Sequence, residues 1–153
     1  MPKPSPLNTL ADLAQDSTDK AARELGRLQG LRTQAEQQLN ALTQYRQEYR
    51  TRMQAIAAEG MTSSRWQDFS RFLDSLDQAI RHQTSALAKA EADLIAGRAN
   101  WQHQKRRQNS FDTLITRAET REQQIVARRE QRASDEFAAR AARVAREPAN
   151  GQN

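Results

Sequence analysis

Two long runs of heptad-spaced apolar residues, unequal in length and separated only by Gly60-Met61-Thr62-Ser63-Ser64, constrain this chain more than any other feature. A link that short joins two helices only if they lie antiparallel. The expected fold is all-α: two long helices forming an antiparallel coiled-coil hairpin, the second helix longer than the first. A two-helix hairpin encloses almost no cavity. The function is therefore expected on the surface, in binding, and the chain is expected not to be an enzyme.

The first run reads Leu7, Ala14, Ala21, Leu28, Ala35, Leu42, Tyr49 and Ile56 at one heptad position. Three residues on, it reads Leu10, Ser17, Glu24, Leu31, Gln38, Tyr45 and Arg52. A period of 3.5 marks a left-handed supercoil. Leu25, Leu39 and Met53 widen the stripe on one side. Ser5-Pro6 has the form of an N-cap followed by proline at the first helical position, where its missing N–H costs little, with Asn8 or Thr9 as alternative caps. Gly60 suits the left-handed position just past a helix end. Ser64-Arg65-Trp66-Gln67 then has the form of a capping box, with Thr62 or Ser63 as alternative caps. The expected organisation is a flexible lead over 1–5 and a helical hairpin over 6–147. Within it, helix one covers about 6–59, the link 60–64 and helix two about 65–146. A disordered tail follows over 148–153, because Pro148 disfavours helix at the residue before it.

The second run starts with Phe69, Phe72, Leu76, Ala79, Gln83, Ala86 and Ala90. Its phase shifts at a stutter near Ala90–Leu94. It resumes with Leu94, Gly97 and Trp101, then Phe111, Leu114, Ile115, Ala118 and Ile125, and thins after that. The arms span roughly 50 and 80 residues, or ~75 and ~120 Å. Pairing about the link matches residues whose numbers add to about 124. In that register Tyr49 lies level with Leu76 and Tyr45 with Ala79. Leu7 lies near residue 117, and helix two has no partner beyond it. Gly97 lies near residues 26–30, where a close backbone approach or a local bend is expected.

Composition narrows the function classes. Only 37% of the 153 residues are apolar and 5% aromatic, which favours long helices over packed layers. The absence of cysteine removes disulfide and thiolate chemistry. The two histidines, His82 and His103, are too far apart for a helical zinc pair. No Gly-rich phosphate loop, nucleophile elbow or Glu-x-x-His motif is present. No catalytic residue, cofactor or metal is therefore expected. The N-terminus lacks the apolar core of a signal peptide. No apolar run approaches the ~20 residues of a membrane span. The expectation is a cytoplasmic protein. The net charge is +5, but the arginines are interleaved with acids, so nucleic acid is not an expected partner.

Most of the aromatics gather near the link: Tyr45 and Tyr49 on helix one, Trp66, Phe69 and Phe72 on helix two. A two-stranded seam prefers Leu, Ile and Val, and a buried tyrosine must satisfy its hydroxyl. The stripe is also broader than two helices cover, so part of it is expected to be exposed as a partner site.

These residues resemble the FliJ family of the flagellar type III export apparatus. The resemblance is carried by Gln38, Leu42, Tyr45 and Tyr49, followed across the link by Phe72, Leu76 and Ala79. The near-N-terminal Leu7-x-x-Leu10 and the overall length also fit. Where the family often has a histidine one turn after that alanine, this chain has Gln83, with His82 beside it. The resemblance implies that Gln38, Leu42, Tyr45, Tyr49, Phe72, Leu76, Ala79 and Gln83 form a patch that docks on the export gate protein FlhA. It also implies a stalk, similar to the coiled coil of the F1 ATPase gamma subunit, that enters the ring of the export ATPase FliI and promotes its assembly. By position, Arg121, Arg128, Arg129 and Arg132 are the implied ring contacts. Export chaperones are further implied partners. The implied location is the cytoplasmic face of the inner membrane at the flagellar base, reached only through the export apparatus. The alternatives are the equivalent stalk of a virulence type III secretion system, and a basic nucleic-acid-binding coiled coil.

Overall fold

The computed structural model describes residues 5–147 and contains two helices, α1 (Pro6–Glu59) and α2 (Ser63–Arg146). They have 54 and 84 residues, so the second is the longer, and they pack against each other. Apart from Ser5 and Glu147, the expected lead, the tail and Pro148 lie outside the described residues.

The helix ends follow local chemistry. Ser5 caps α1: the Asn8 amide donates to its side-chain oxygen at 3.2 Å, and the Thr9 amide to its carbonyl. At the other end Gly60 takes φ 109°, a conformation open to glycine at no steric cost, and its amide donates to Ala57 O. The cap of α2 is Thr62 rather than Ser64. The Arg65 amide donates to Thr62 Oγ1 at 3.3 Å and the Trp66 amide to Thr62 O. The helix thus starts two residues before the expected boundary, and the link shortens to Gly60-Met61-Thr62.

The contacts divide the chain into two compact units, residues 14–106 and the residues through Leu13 together with those from Arg107 onward. In the first unit the helices run antiparallel: Arg46 meets Asp77, Arg32 meets Glu91 and Leu28 meets Gly97. These three pairs hold the expected register to within one residue.

The seam itself differs from the expected one. On α1 the seam runs Ala14, Thr18, Ala21, Leu25, Leu28, Arg32, Ala35, Leu39, Leu42, Arg46, Tyr49, Met53 and Ile56, with Ser17 and Glu36 half-buried at its border. Steps of four and three alternate without a break. The first heptad row is as expected, but its companion lies four residues on, not three. Leu31 and Tyr45 of the expected companion row are 44% and 45% exposed. The cause is the two seam arginines. Their stems pack in the seam while their guanidinium groups reach Asp77 and Glu91 on α2, so the true row is interrupted by charge in the sequence.

On α2 the seam runs Phe69, Leu73, Leu76, Ile80, Gln83, Leu87, Ala90, Leu94, Gly97, Trp101 and Gln104, again in alternating steps. The expected stutter near Ala90–Leu94 is absent. Leu73, Ile80 and Leu87 hold the seam positions expected of Phe72, Ala79 and Ala86, each one residue earlier, and with them the phase runs on unbroken.

In the second unit, Leu7 and Ala11 of α1 and Gln108, Phe111 and Ile115 of α2 are covered, and every residue from 116 to 147 is exposed.

The Gly97 approach is tight in one sense: a Cβ added there would lie 2.5 Å from the Leu28 side-chain tip. Gly26 has open space around it. Gly97→Leu should overpack this contact and lower stability by about 1–3 kcal/mol. Gly26→Ala should raise it by up to ~1 kcal/mol through helix propensity alone. Urea unfolding followed by circular dichroism checks both signs.

Candidate functional site

Two helices leave one face of the hairpin incompletely covered, and the sequence places aromatic and amide side chains there. Tyr45 belongs to the row displaced from the seam and Phe72 sits one residue before seam Leu73. Both stand at the border of the contact, 45% and 38% exposed. Their rings meet edge-on with centroids 6.2 Å apart. Tyr49, a seam residue and half-buried, stacks beneath them at 4.5 Å from Phe72 and 5.2 Å from Phe69. From a position that the register sets level with Leu76 to within one residue, its ring reaches toward the link to meet both.

Gln83 fixes the other end of the face. Its amide nitrogen donates to the Ala35 carbonyl and to Gln38 Oε1, both at 3.1 Å. One side chain thus satisfies an α1 backbone acceptor and orients the exposed Gln38. Gln38, Ala41, Leu42, Tyr45 and Gln83 line a shallow, mostly apolar groove. A second groove, lined by Leu28, Leu31, Ala35, Ala86 and Ala90 among others, shares Gln38 and Gln83 with it.

The eight residues of the implied docking patch are thus distributed unequally. Gln38, Tyr45 and Phe72 are exposed, and Leu42, Tyr49, Ala79 and Gln83 are half-buried. Leu76 is only 7% exposed, so it lies in the seam beneath the others, and a partner meets it only through them. Leu31, expected in the seam, and Ala41, absent from the expected patch, line the same face; a row with seam spacing that two helices cannot cover is the sequence signal for them.

The four implied ring contacts, Arg121, Arg128, Arg129 and Arg132, are all exposed on α2 in the second unit. Among the described residues no cluster of three or more histidine or acidic groups is placed to hold a metal ion. No helix among them is long and apolar enough to cross a membrane.

One ion pair borders this face. Arg46 Nε donates to Asp77 Oδ1, and Arg46 Nη2 to Asp77 Oδ2 at 3.4 Å. This hydrogen bonding holds the Asp77 carboxyl below its usual range, with the nearby Arg81 and Arg50 charges acting in the same sense. A carboxyl held low in the folded state stabilises it at neutral pH, and that contribution is lost as pH falls through the lowered value. Asp77→Asn should therefore reduce thermal stability at neutral pH. The gap between variant and parent should shrink as pH falls below about 4. Melting curves across pH test this; a gap independent of pH would remove the carboxylate from the account.

Comparison with known proteins adds a whole-chain match. A family model described as "Flagellar FliJ protein" matches residues 2–147. The Flagellar FliJ protein of Escherichia coli (strain K12) is 35% identical over 136 residues, covering 89% of this chain and 92% of its own length. That of Salmonella typhi is 34% identical over the same shares.

Proposed function

This chain belongs to the flagellar FliJ family, and from that premise we propose that it is a non-enzymatic connector in flagellar protein export. In this reading one face docks on the export gate protein FlhA, and the Arg-rich end of α2 engages the ring of the export ATPase FliI and promotes its assembly. The observation that carries it is the pair of exposed aromatics, Tyr45 and Phe72, excluded from the seam and standing beside the Gln83–Gln38 amide pair.

The physical argument is one of complementarity. Exposed rings backed by a packed tyrosine are rigid, so they lose little entropy on binding and serve as anchors. Gln38, held by Gln83 through its oxygen, keeps its own amide N–H groups for a partner's acceptor. The apolar rings would supply affinity and the oriented amide would supply register. Exposed Arg121, Arg128, Arg129 and Arg132 are the residues assigned to the ring contact, where long-range attraction would speed encounter. Export chaperones are further proposed partners, with no residue assigned to them. The match to flagellar proteins favours this reading over the equivalent stalk of a virulence secretion system.

Tyr45→Ala combined with Phe72→Ala should leave helicity intact and weaken binding to the cytoplasmic part of FlhA roughly tenfold or more. Circular dichroism and a pull-down or calorimetric titration measure the two. If the melt collapses while docking per folded molecule is unchanged, the rings are packing groups and the docking assignment fails. Removing residues 119–153 should spare the paired region and reduce stimulation of FliI ATPase activity. Equal stimulation by the shortened chain would overturn the ring assignment.

A further inference from the structure

Between residues 117 and 146, α2 carries eight arginines and five acids, all exposed. At 3.6 residues per turn the eight arginines fall within an arc of about 140°. Arg121, Arg132 and Arg143 repeat at eleven-residue intervals, as do Arg129 and Arg140. Eleven residues make close to three turns, so such rows run nearly parallel to the helix axis. The seven-residue period of the paired region has given way to one suited to a straight, flat face. That face is roughly 44 Å long.

The charge on it is unbalanced in a way the rest of the chain is not. Three acids, Glu122, Asp135 and Glu136, share the arc. The remaining 16 basic and 16 acidic residues of the chain cancel, so the whole formal excess of +5 resides on this face. Among the described residues none of the eight arginines is held in an ion pair. Asp135 accepts instead from Gln131, at 3.0 Å.

We propose that this arginine face adsorbs directly on an anionic lipid surface, with the helix lying along the headgroups. Three features select that occupant. A flat row some 44 Å long meets a plane along all its length, whereas a nucleic acid duplex curves away from a straight helix. The arc holds one large apolar side chain, Ile125, at 40% exposure, so attraction there is a matter of charge, as a layer of anionic headgroups would supply. The strip flanking the arc, with Phe137 and Val144 at 76% and 71% exposure, also carries Glu119 and Glu130 and is not suited to insertion. Contact is therefore made by arginines at headgroup level, each adding a few-fold to the partition coefficient. The proposal goes beyond the connector reading and stands whether or not this end of α2 meets an ATPase.

The test is co-sedimentation of the full-length protein, with no other protein present, on vesicles of phosphatidylcholine alone or mixed with phosphatidylglycerol. Binding is expected only to the anionic vesicles and should fall steeply with added salt. Changing Arg121, Arg128, Arg132 and Arg143 to Gln in one chain should reduce it at least about a hundredfold, with helicity unchanged by circular dichroism. Changing Val126, Phe137 and Val144 to Gln should leave lipid binding unaltered. Equal binding to neutral vesicles, loss through the apolar variant instead, or absence of binding to anionic vesicles at low salt would each overturn the proposal. Binding to duplex DNA as tight as to anionic vesicles would also overturn it, assigning the face to nucleic acid.

Discussion

Two helices cover only a narrow strip of each other, and this restriction organises the molecule. Each arm contributes one residue at every alternating step of three and four, and outside that strip no described residue is more than half-buried. Apolar residues beyond it must stay in water or meet a partner. Leu31, Tyr45 and Phe72 are therefore exposed not because the hairpin packs poorly but because it is a hairpin. A third helix on that side would have buried them, and the same residues would then be ordinary core.

The strip is also a modest one. In the first unit three of its six buried apolar residues are alanines, and Thr18, Arg32, Arg46 and Gln83 interrupt it with polar atoms. Each interruption finds a partner: Thr18 donates to the Ala14 carbonyl, the arginines reach α2 carboxylates, and Gln83 reaches Ala35 and Gln38. Arg32, Arg46 and Gln83 find theirs on the facing helix, so they lower stability and raise specificity, since a slip of one heptad would leave these three unpaired. The polar layers thus serve to define the register that sets Tyr45 against Phe72.

Much of this was legible in the chain before any coordinates. The hairpin, the glycine at its turn, the unequal arms and the register all follow from spacing. The first row of the α1 seam, from Ala14 to Ile56, was legible too. Its companion was not, because Arg32 and Arg46 occupy seam positions, and a charged residue signals surface until its stem and head are seen to part company. On α2 the same difficulty took another form. Phe72, Ala79 and Ala86 precede Leu73, Ile80 and Leu87 by one residue each, and two adjacent apolar stripes cannot be ranked without the facing helix. Of the site, the residue types and their clustering were legible. Which of them face outward was not, as Leu76 illustrates, because exposure belongs to the pair of helices and not to either sequence alone.

The unbroken phase of both arms in the first unit, combined with a three-residue link, makes length a modular quantity. Seven residues added to one arm alone would carry its partner's seam out of match from that point to the open end. Seven added to both arms at matched positions would preserve every layer and lengthen the pair by roughly 10 Å. Within this unit, then, the spacing between any two surface features changes in whole heptads, and always in both arms together. The hairpin is a graduated spacer, and insertions or deletions tolerated among related chains should come as matched pairs of that size.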